Sequence, residues 1–268
     1  MARLKGPIQF IGSLGGLHSY YNKSIKAYVV ATNGGASKEL IMNNPAFART
    51  RENMSEFKGC GMWASLLRQS LAPLSHLYSG YYFSDIMSLA KKIQNCDDVN
   101  RKGFRSIESH RFPDGFRMIK FNKEKPLERI CMFDPHVTFS EDKKTVALHI
   151  AQLRPYSLIH WPSRFMSFRF SLVAVQLADM VWNEADRGYE PCVKDLECTT
   201  AKTVSAWMSG VMDPADFTME TSFAAPAMQQ PGTVVLAVLG IELSMTPFSS
   251  QDNTFSASGT MGVVACFI

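Results

Sequence analysis

Apolar and polar residues alternate along this chain with two different periods, and the change falls near residue 104. Before it, Phe57, Cys60, Ala64, Leu67, Leu71, Leu74 and Tyr78 recur at spacings of three and four, which places them on one face of a helix. Trp63 and Leu66 widen that stripe. Asn53 followed by Glu56 resembles a capping box, with Asn in place of the usual Ser or Thr. Pro73 predicts a bend or an end of the regular hydrogen bonding near the preceding turn. A second helix is predicted from Ser84, with Asp85 at its positive end, Ile86, Leu89, Ala90 and Ile93 on one face, and Lys91-Lys92 near its C-terminus.

Upstream, residues 7–32 read as a β-hairpin. Pro7–Ser13 is one strand, with Leu17–Tyr21 as its continuation past Gly15-Gly16. Asn22-Lys23-Ser24 supplies the turn, Ile25–Thr32 returns, and Asn33-Gly34-Gly35 ends the unit. A lone hairpin is only marginally stable, so this one needs a surface to lie on.

Beyond residue 104 the period is two. Strands are predicted at Phe116–Phe121, Glu128–Phe133, His136–Phe139, Thr145–Ile150, Arg164–Leu177, Phe217–Phe223, Thr233–Ser244 and Thr260–Ile268. Met166, Phe168, Phe170 and Leu172 share a face opposite Ser167, Arg169 and Ser171. Turns are marked by Pro113-Asp114-Gly115, by the polar run 140–143, by Asp186-Arg187-Gly188 and by Gln230-Pro231-Gly232. Residues 234–243 are apolar on both faces, as in a central strand covered on both sides. The run Met261–Ile268 is placed inside the sheet, the alternative being pairing with a neighbouring subunit. The fold class is therefore α+β, mainly β: an antiparallel β-sandwich, jelly-roll or Ig-like, preceded by an N-terminal β-hairpin and two helices. No repeat or low-complexity linker interrupts it.

Charge follows the same division. Residues 1–111 carry fifteen Lys/Arg against seven Asp/Glu, and residues 112–268 carry thirteen against seventeen. Two parts are expected: a basic hairpin-plus-helices arm, 1–111, and an acidic body, 112–268. At 268 residues, 46% apolar and 19% charged, the chain supports a full core and excludes wholesale disorder. Six cysteines, at 60, 96, 131, 192, 198 and 266, form no CxxC pair, and Cys192 and Cys198 lie too far apart for a zinc knuckle. The start of the chain lacks a signal-peptide core, and the longest apolar run, Thr233–Ile241, is far short of a membrane span. Reduced thiols in a cytoplasmic protein are the expectation.

The segments 34–39 and 44–57, with the run Arg49-Thr50-Arg51-Glu52-Asn53, resemble a family of uncharacterised proteins of Bacteroidota-type bacteria. The Leu67-Arg68…Leu71-Ala72-Pro73-Leu74 pattern and residues 238–242 are similar as well. The resemblance implies that the helical and β regions form one unit. It carries no activity, substrate or catalytic residue to this chain.

Candidate chemistry is sparse. Neither Gly-x-Ser-x-Gly nor a Cys–His signature occurs, and the Gly-rich stretches at 12–16 and 32–35 lack the strand–loop–helix lysine context that cradles phosphate. The histidines at 18, 76, 110, 136, 149 and 160 show no metal-ligand spacing, and His149 is expected to be a satisfied interior residue. Asp134-Pro135-His136 reads as a turn between strands ahead of an acid–base pair. Tyr78, Tyr81, Tyr82, Trp161 and Trp207 admit either a sugar-stacking platform or packing. The seven basic side chains of residues 1–51 lack the context of known nucleic-acid motifs, so nucleic acid is disfavoured. Arg49, Arg51 and Glu52 admit an inter-subunit salt bridge, an anion clamp or a local ion pair fixing the helix start.

The sequence thus points to a non-enzymatic structural protein, without metal or cofactor. It would self-assemble into a filament, tube or shell through contacts of the basic arm with the acidic body of another copy. Its expected interface comprises Arg49, Arg51, Glu52, Phe57, Trp63, Leu67, Leu71, Leu74 and Tyr78. The alternative is a carbohydrate- or protein-binding β-sandwich module. An enzyme would need a cleft of convergent polar groups.

Overall fold

The computed structural model describes all residues except 1, 7, 8, 33, 80, 81, 162, 163, 195, 197, 198, 228, 229 and 246–257. The chain divides into two compact units, Met1–Arg51 and Glu52–Ile268. The division does not fall at the charge step near residue 111. Helices expected in the arm instead pack on the sheet of the second unit.

The first unit holds β1 (Ala2–Arg3), β2 (Gly12–Leu14), β3 (Leu17–Asn22), β4 (Ala27–Thr32) and the helix α1 (Lys38–Asn43). Its strands lie antiparallel in the order β1-β4-β3-β2. Gly15 and Gly16 do not carry one strand onward as expected. Their φ values of +55° and +80° turn β2 back onto β3. Positive φ at both central positions is what a type I′ hairpin requires, and glycine adopts it without a Cβ clash. Of the first expected strand, Pro7 and Ile8 lie outside the described residues, and pairing begins at Gly12. The Ser37 hydroxyl accepts from the Leu40 amide at 3.1 Å and caps α1.

Helix α2 (Ala48–Ser70) carries the chain across the division. It starts ahead of Asn53, so the expected capping box does not form, and Glu56 sits inside the helix. A 3-10 segment, Ala72–Leu77, follows at Pro73, as the missing amide proton of proline dictates. Next come α3 (Tyr82–Asn95), α4 (Pro113–Arg117) and α5 (Leu127–Ile130). The last two replace the strands expected at 116–121 and 128–133. Pro113 opens α4 and Pro126 stands just before α5, positions where proline favours a helical start.

The strands are β5 (His136–Phe139), β6 (Thr145–Leu153), β7 (Ser167–Ala178), β8 (Met180–Asn183), β9 (Gly188–Pro191), β10 (Thr200–Val204), β11 (Met208–Ser209), β12 (Ala215–Ser222), β13 (Thr233–Ser244) and β14 (Ser258–Phe267), with the short α6 (Pro155–Leu158) after β6. The central antiparallel sheet runs β10-β7-β13-β14, with β11 also on β7. A three-stranded sheet, β12-β6-β5, and a β8–β9 hairpin complete the set.

Alternation explains why the central parts of β7 and β13 are apolar on both faces. Val173, Val175 and Leu177 of β7, with Val234, Leu236 and Val238 of β13, share a core with α2, the 3-10 segment and α3. Phe168, Phe170, Leu172 and Ala174, with Val235, Ala237, Leu239, Ile241 and Leu243, share a second core with Val146, Leu148 and Ile150 of β6 and Met219 of β12. A strand buried on both faces has no polar side to alternate with. The chain is mixed α and β with antiparallel sheets and an N-terminal sheet, and among the described residues no barrel closes. Helices, not a second sheet, take one face of the central sheet, which departs from a jelly-roll or Ig-like arrangement of two sheets alone. Strand β14 lies at the sheet edge rather than inside it. There a bulge pairs Ala237 with Ala265 and Val238 with Val263, so Val264 is the extra residue.

Candidate functional site

Helices α2 and α3 turn their inner faces to the sheet, but each also carries apolar residues outside that face. Phe57, Gly61, Met62, Ser65 and Leu66 of α2 face Phe83, Met87, Ser88, Lys91 and Lys92 of α3 across a groove of about 1170 Å³. Met180 and Pro191 also line it. Along α2 the lining repeats over three turns, the i, i+4 spacing of one helical stripe. Gly61 keeps the groove wide, since a Cβ placed there meets nothing within 4 Å. Among the described residues of the lining, the charged side chains are Lys58, Lys91 and Lys92. Arg68 lies 5.8 Å from the Phe83 ring centre, adding a further cation on that side chain. The signal in the sequence was a second apolar pair, Phe83 and Met87, four apart and outside the face read as Ile86, Leu89, Ala90 and Ile93.

A buried ionic knot ties α2 and α3 to the 101–105 segment. Glu56 accepts from Arg105 Nε at 2.7 Å and Nη2 at 2.7 Å, from the Gly103 amide at 2.9 Å, and from Lys91 Nζ. Burial pushes its carboxyl up, but the Arg105 and Lys91 hydrogen bonds and the Gly103 amide outweigh it, and its pKa is held down at about 2. Gln94 continues the knot, donating to the Glu56 carbonyl at 3.3 Å and the Arg105 carbonyl at 3.0 Å and accepting from Lys91 at 2.9 Å. The Tyr189 hydroxyl donates to the Arg105 carbonyl at 3.0 Å. Each carboxylate oxygen is satisfied, so the knot fixes geometry and offers no open ligand position.

The nine residues expected at an interface divide sharply. Trp63, Leu67, Leu71 and Leu74 are fully buried against the central sheet and are core, because the helical stripe meets the sheet of its own chain. Tyr78 is half-buried and packs on Tyr82 at a ring distance of 4.0 Å. Phe57 is 62% exposed and lines the groove. Arg51 donates to the Ile41 carbonyl at 2.7 Å and the Asn44 carbonyl at 2.9 Å, the local reading of that position. Glu52 packs its methylenes on Gly103. Arg49 is exposed at the start of α2.

The first unit presents an apolar face of its own. Register and alternation put Leu14, Leu17, Tyr21, Tyr28 and Val30 on one side of its sheet. Leu14 and Leu17 are direct cross-strand partners, 70% and 41% exposed. Tyr21 and Tyr28 meet edge-to-face at 5.1 Å. Among the described residues of this unit only Ser19 and Val29 are buried.

Several other polar clusters among the described residues are tied into local hydrogen bonds. Asp179 accepts from the Ser109 hydroxyl at 2.8 Å, from the His110 amide at 3.1 Å, and pairs with His110 Nδ1. Burial raises its pKa, only partly offset by those donors. Ser109 therefore bonds the carboxylate rather than the imidazole, the reverse of a hydrolytic triad. Cys192 turns its thiol to the Gly232 carbonyl at 3.3 Å, and burial raises its pKa. That is the opposite of what a thiolate nucleophile needs. His149 is not interior: it points outward from β6, 3.8 Å from Asp216. Asp134 and His136 lead into β5 beside Arg117. Trp161 stacks under Lys125 and Trp207 under Arg169, and Tyr81 lies outside the described residues. Among the described residues no group of three or more His, Cys, Asp or Glu is placed to hold a metal ion. No described helix is long and apolar enough to cross a membrane.

Comparison with protein-family models, curated proteins and solved structures finds no significant match.

Proposed function

We propose that this protein is a non-enzymatic structural subunit that associates with copies of itself, building a filament, tube or shell through its N-terminal sheet. The observation that carries this reading is the exposed apolar side chains of Leu14, Leu17 and Tyr21 on one face of that sheet, in a unit that buries only two described side chains. Such a unit gains little from its own core, and a second copy covering that face would remove the exposed apolar area from water. The body would be a sandwich-like core of the central and three-stranded sheets, backed by α2 and α3. Charge supports the same direction. Residues 1–51 carry seven Lys/Arg and one Asp/Glu, while residues 52–268 carry twenty-one against twenty-three. The five described cysteines are free thiols, in keeping with a reducing, cytoplasmic setting.

The test is size-exclusion chromatography with light scattering and negative-stain imaging of the full chain over a range of concentration and salt. Assemblies larger than one chain are expected, weakened by salt through screening of the basic unit. Leu14→Asp with Leu17→Asp should shift them to single chains while the circular dichroism spectrum is kept. A chain that stays single at high concentration and low salt, or assemblies indifferent to the double substitution, would overturn the reading.

A further inference from the structure

The geometry points to the α2–α3 groove as the docking site for an acidic amphipathic helix of a different protein. The groove runs between two adjacent helices. From Phe83 to Asn95 its α3 wall spans thirteen residues, or roughly 18 Å at about 1.5 Å per residue, matching about three turns of an incoming helix. Its walls are Phe57, Met62, Leu66, Phe83 and Met87. Two flexible thioethers let such walls adapt to apolar side chains at i, i+3 or i+4, and i+7. Gly61 leaves room for one anchor to approach the α2 backbone.

Charge selects the occupant. Lys58, Lys91 and Lys92 line the groove, and no described carboxylate lines it with them. Lys91 is committed to Glu56 and Gln94, which leaves Lys58 and Lys92 as the cations facing a ligand. Clustered lysines beside an apolar trough favour carboxylates on the flank of the docked helix and repel a basic one. The described helices of this chain do not fit that occupant. The first unit is basic, and no described helix carries more than one solvent-accessible carboxylate. The occupant therefore differs from the second copy invoked for the N-terminal sheet, and the two readings stand or fall separately.

A displayed library of random 16-residue peptides, selected against the full chain, tests this. Enrichment of sequences with apolar residues at helical spacing and flanking Asp or Glu is expected. A synthetic peptide of that consensus should bind with micromolar affinity, at least tenfold more weakly in 0.5 M salt. Gly61→Leu, which fills the trough at an open helix position, should abolish binding. Lys58→Glu with Lys92→Glu should weaken it at least tenfold and restore binding to a lysine-flanked version of the peptide. Thermal unfolding of each variant checks that the fold is kept. Failure to enrich, enrichment of basic or extended sequences, binding that survives Gly61→Leu in a folded variant, or binding of anionic vesicles in place of the peptide would each overturn the inference. A change of oligomeric state in Gly61→Leu would overturn it too, by assigning the groove to a second copy.

Discussion

Arg105 meets Glu56 side-on, with Nε on one carboxylate oxygen and Nη2 on the other, both at 2.7 Å. The carboxylate is 1% exposed, so two α-helices and the 101–105 segment depend on one ionised group. In the folded chain Glu56 stays ionised down to about pH 2, against an ordinary value of 4.5. The unfolded chain therefore binds a proton first as pH falls. Its stabilisation is complete above about pH 5 and is lost progressively toward pH 2, on the order of 3 kcal/mol in all. Urea titrations at pH 7, 4 and 3 should show that loss, and Glu56→Gln should flatten it. The substitution also leaves Arg105 and Lys91 without their anion, and should cost roughly 3–5 kcal/mol at pH 7.

Two glycines of α2 lie two residues apart and should respond in opposite directions to alanine. At Gly59 a Cβ would stand 2.7 Å from the Tyr189 ring. That ring is held by its hydroxyl bond to Arg105 and by an edge contact with Trp182 at 5.3 Å. Gly59→Ala should therefore destabilise by about 1–3 kcal/mol through overpacking. Gly61→Ala meets open space and should gain about 0.5–1 kcal/mol from helix propensity. Chemical denaturation of the two variants side by side is the measurement.

Trp63 and Phe57 lie on the same helix and differ completely in burial, 0% against 62% exposed. Trp63→Ala should cost about 3–5 kcal/mol in urea unfolding, and Phe57→Ala less than about 0.5 kcal/mol. A comparable loss at both positions would show that Phe57 is covered in solution.

Asp179 is a buried anion whose pKa is raised, so its charge opposes folding at neutral pH and stability is regained as pH falls through its folded value. Asp179→Asn keeps an acceptor for Ser109 and the His110 amide and removes the charge. Its stability at pH 7 should lie within about 1 kcal/mol of the parent, whereas Asp179→Ala orphans those donors and should cost about 2–3 kcal/mol. Thermal melts at pH 7 separate the two.

The long stripe of α2 and the double-faced strand β13 were legible in the sequence because period and length agree with the geometry. Thr233–Ser244 and His136–Phe139 form as expected. Where the stripe would be buried was not legible. Periodicity reports that Trp63, Leu67, Leu71 and Leu74 need cover, and the same pattern serves a neighbour or the sheet of the same chain. The segments 116–121 and 128–133 misled because four- and five-residue helices are too short to show a 3.6 period. The strands β8, β9 and β10 were missed because the polar and Gly/Pro-containing runs around them read as turns. The groove was half-visible in Phe83 and Met87. That Lys58 of α2 and Lys92 of α3 line the same groove is encoded by no local pattern.

The bulge at Val264 has a bearing on how copies of this chain can meet. Arg117 donates to the Val264 carbonyl at 2.7 Å, Leu127 lies over Gly262, and Thr260 bonds the Lys125 carbonyl at 2.6 Å. These side chains and α5 occupy the outer rim of β14, where an incoming strand would have to hydrogen-bond. The central sheet cannot be lengthened from that side, so growth by backbone stacking, the route of amyloid, is blocked there. Any contact made along that edge of the central sheet would then have to use side chains rather than an added strand.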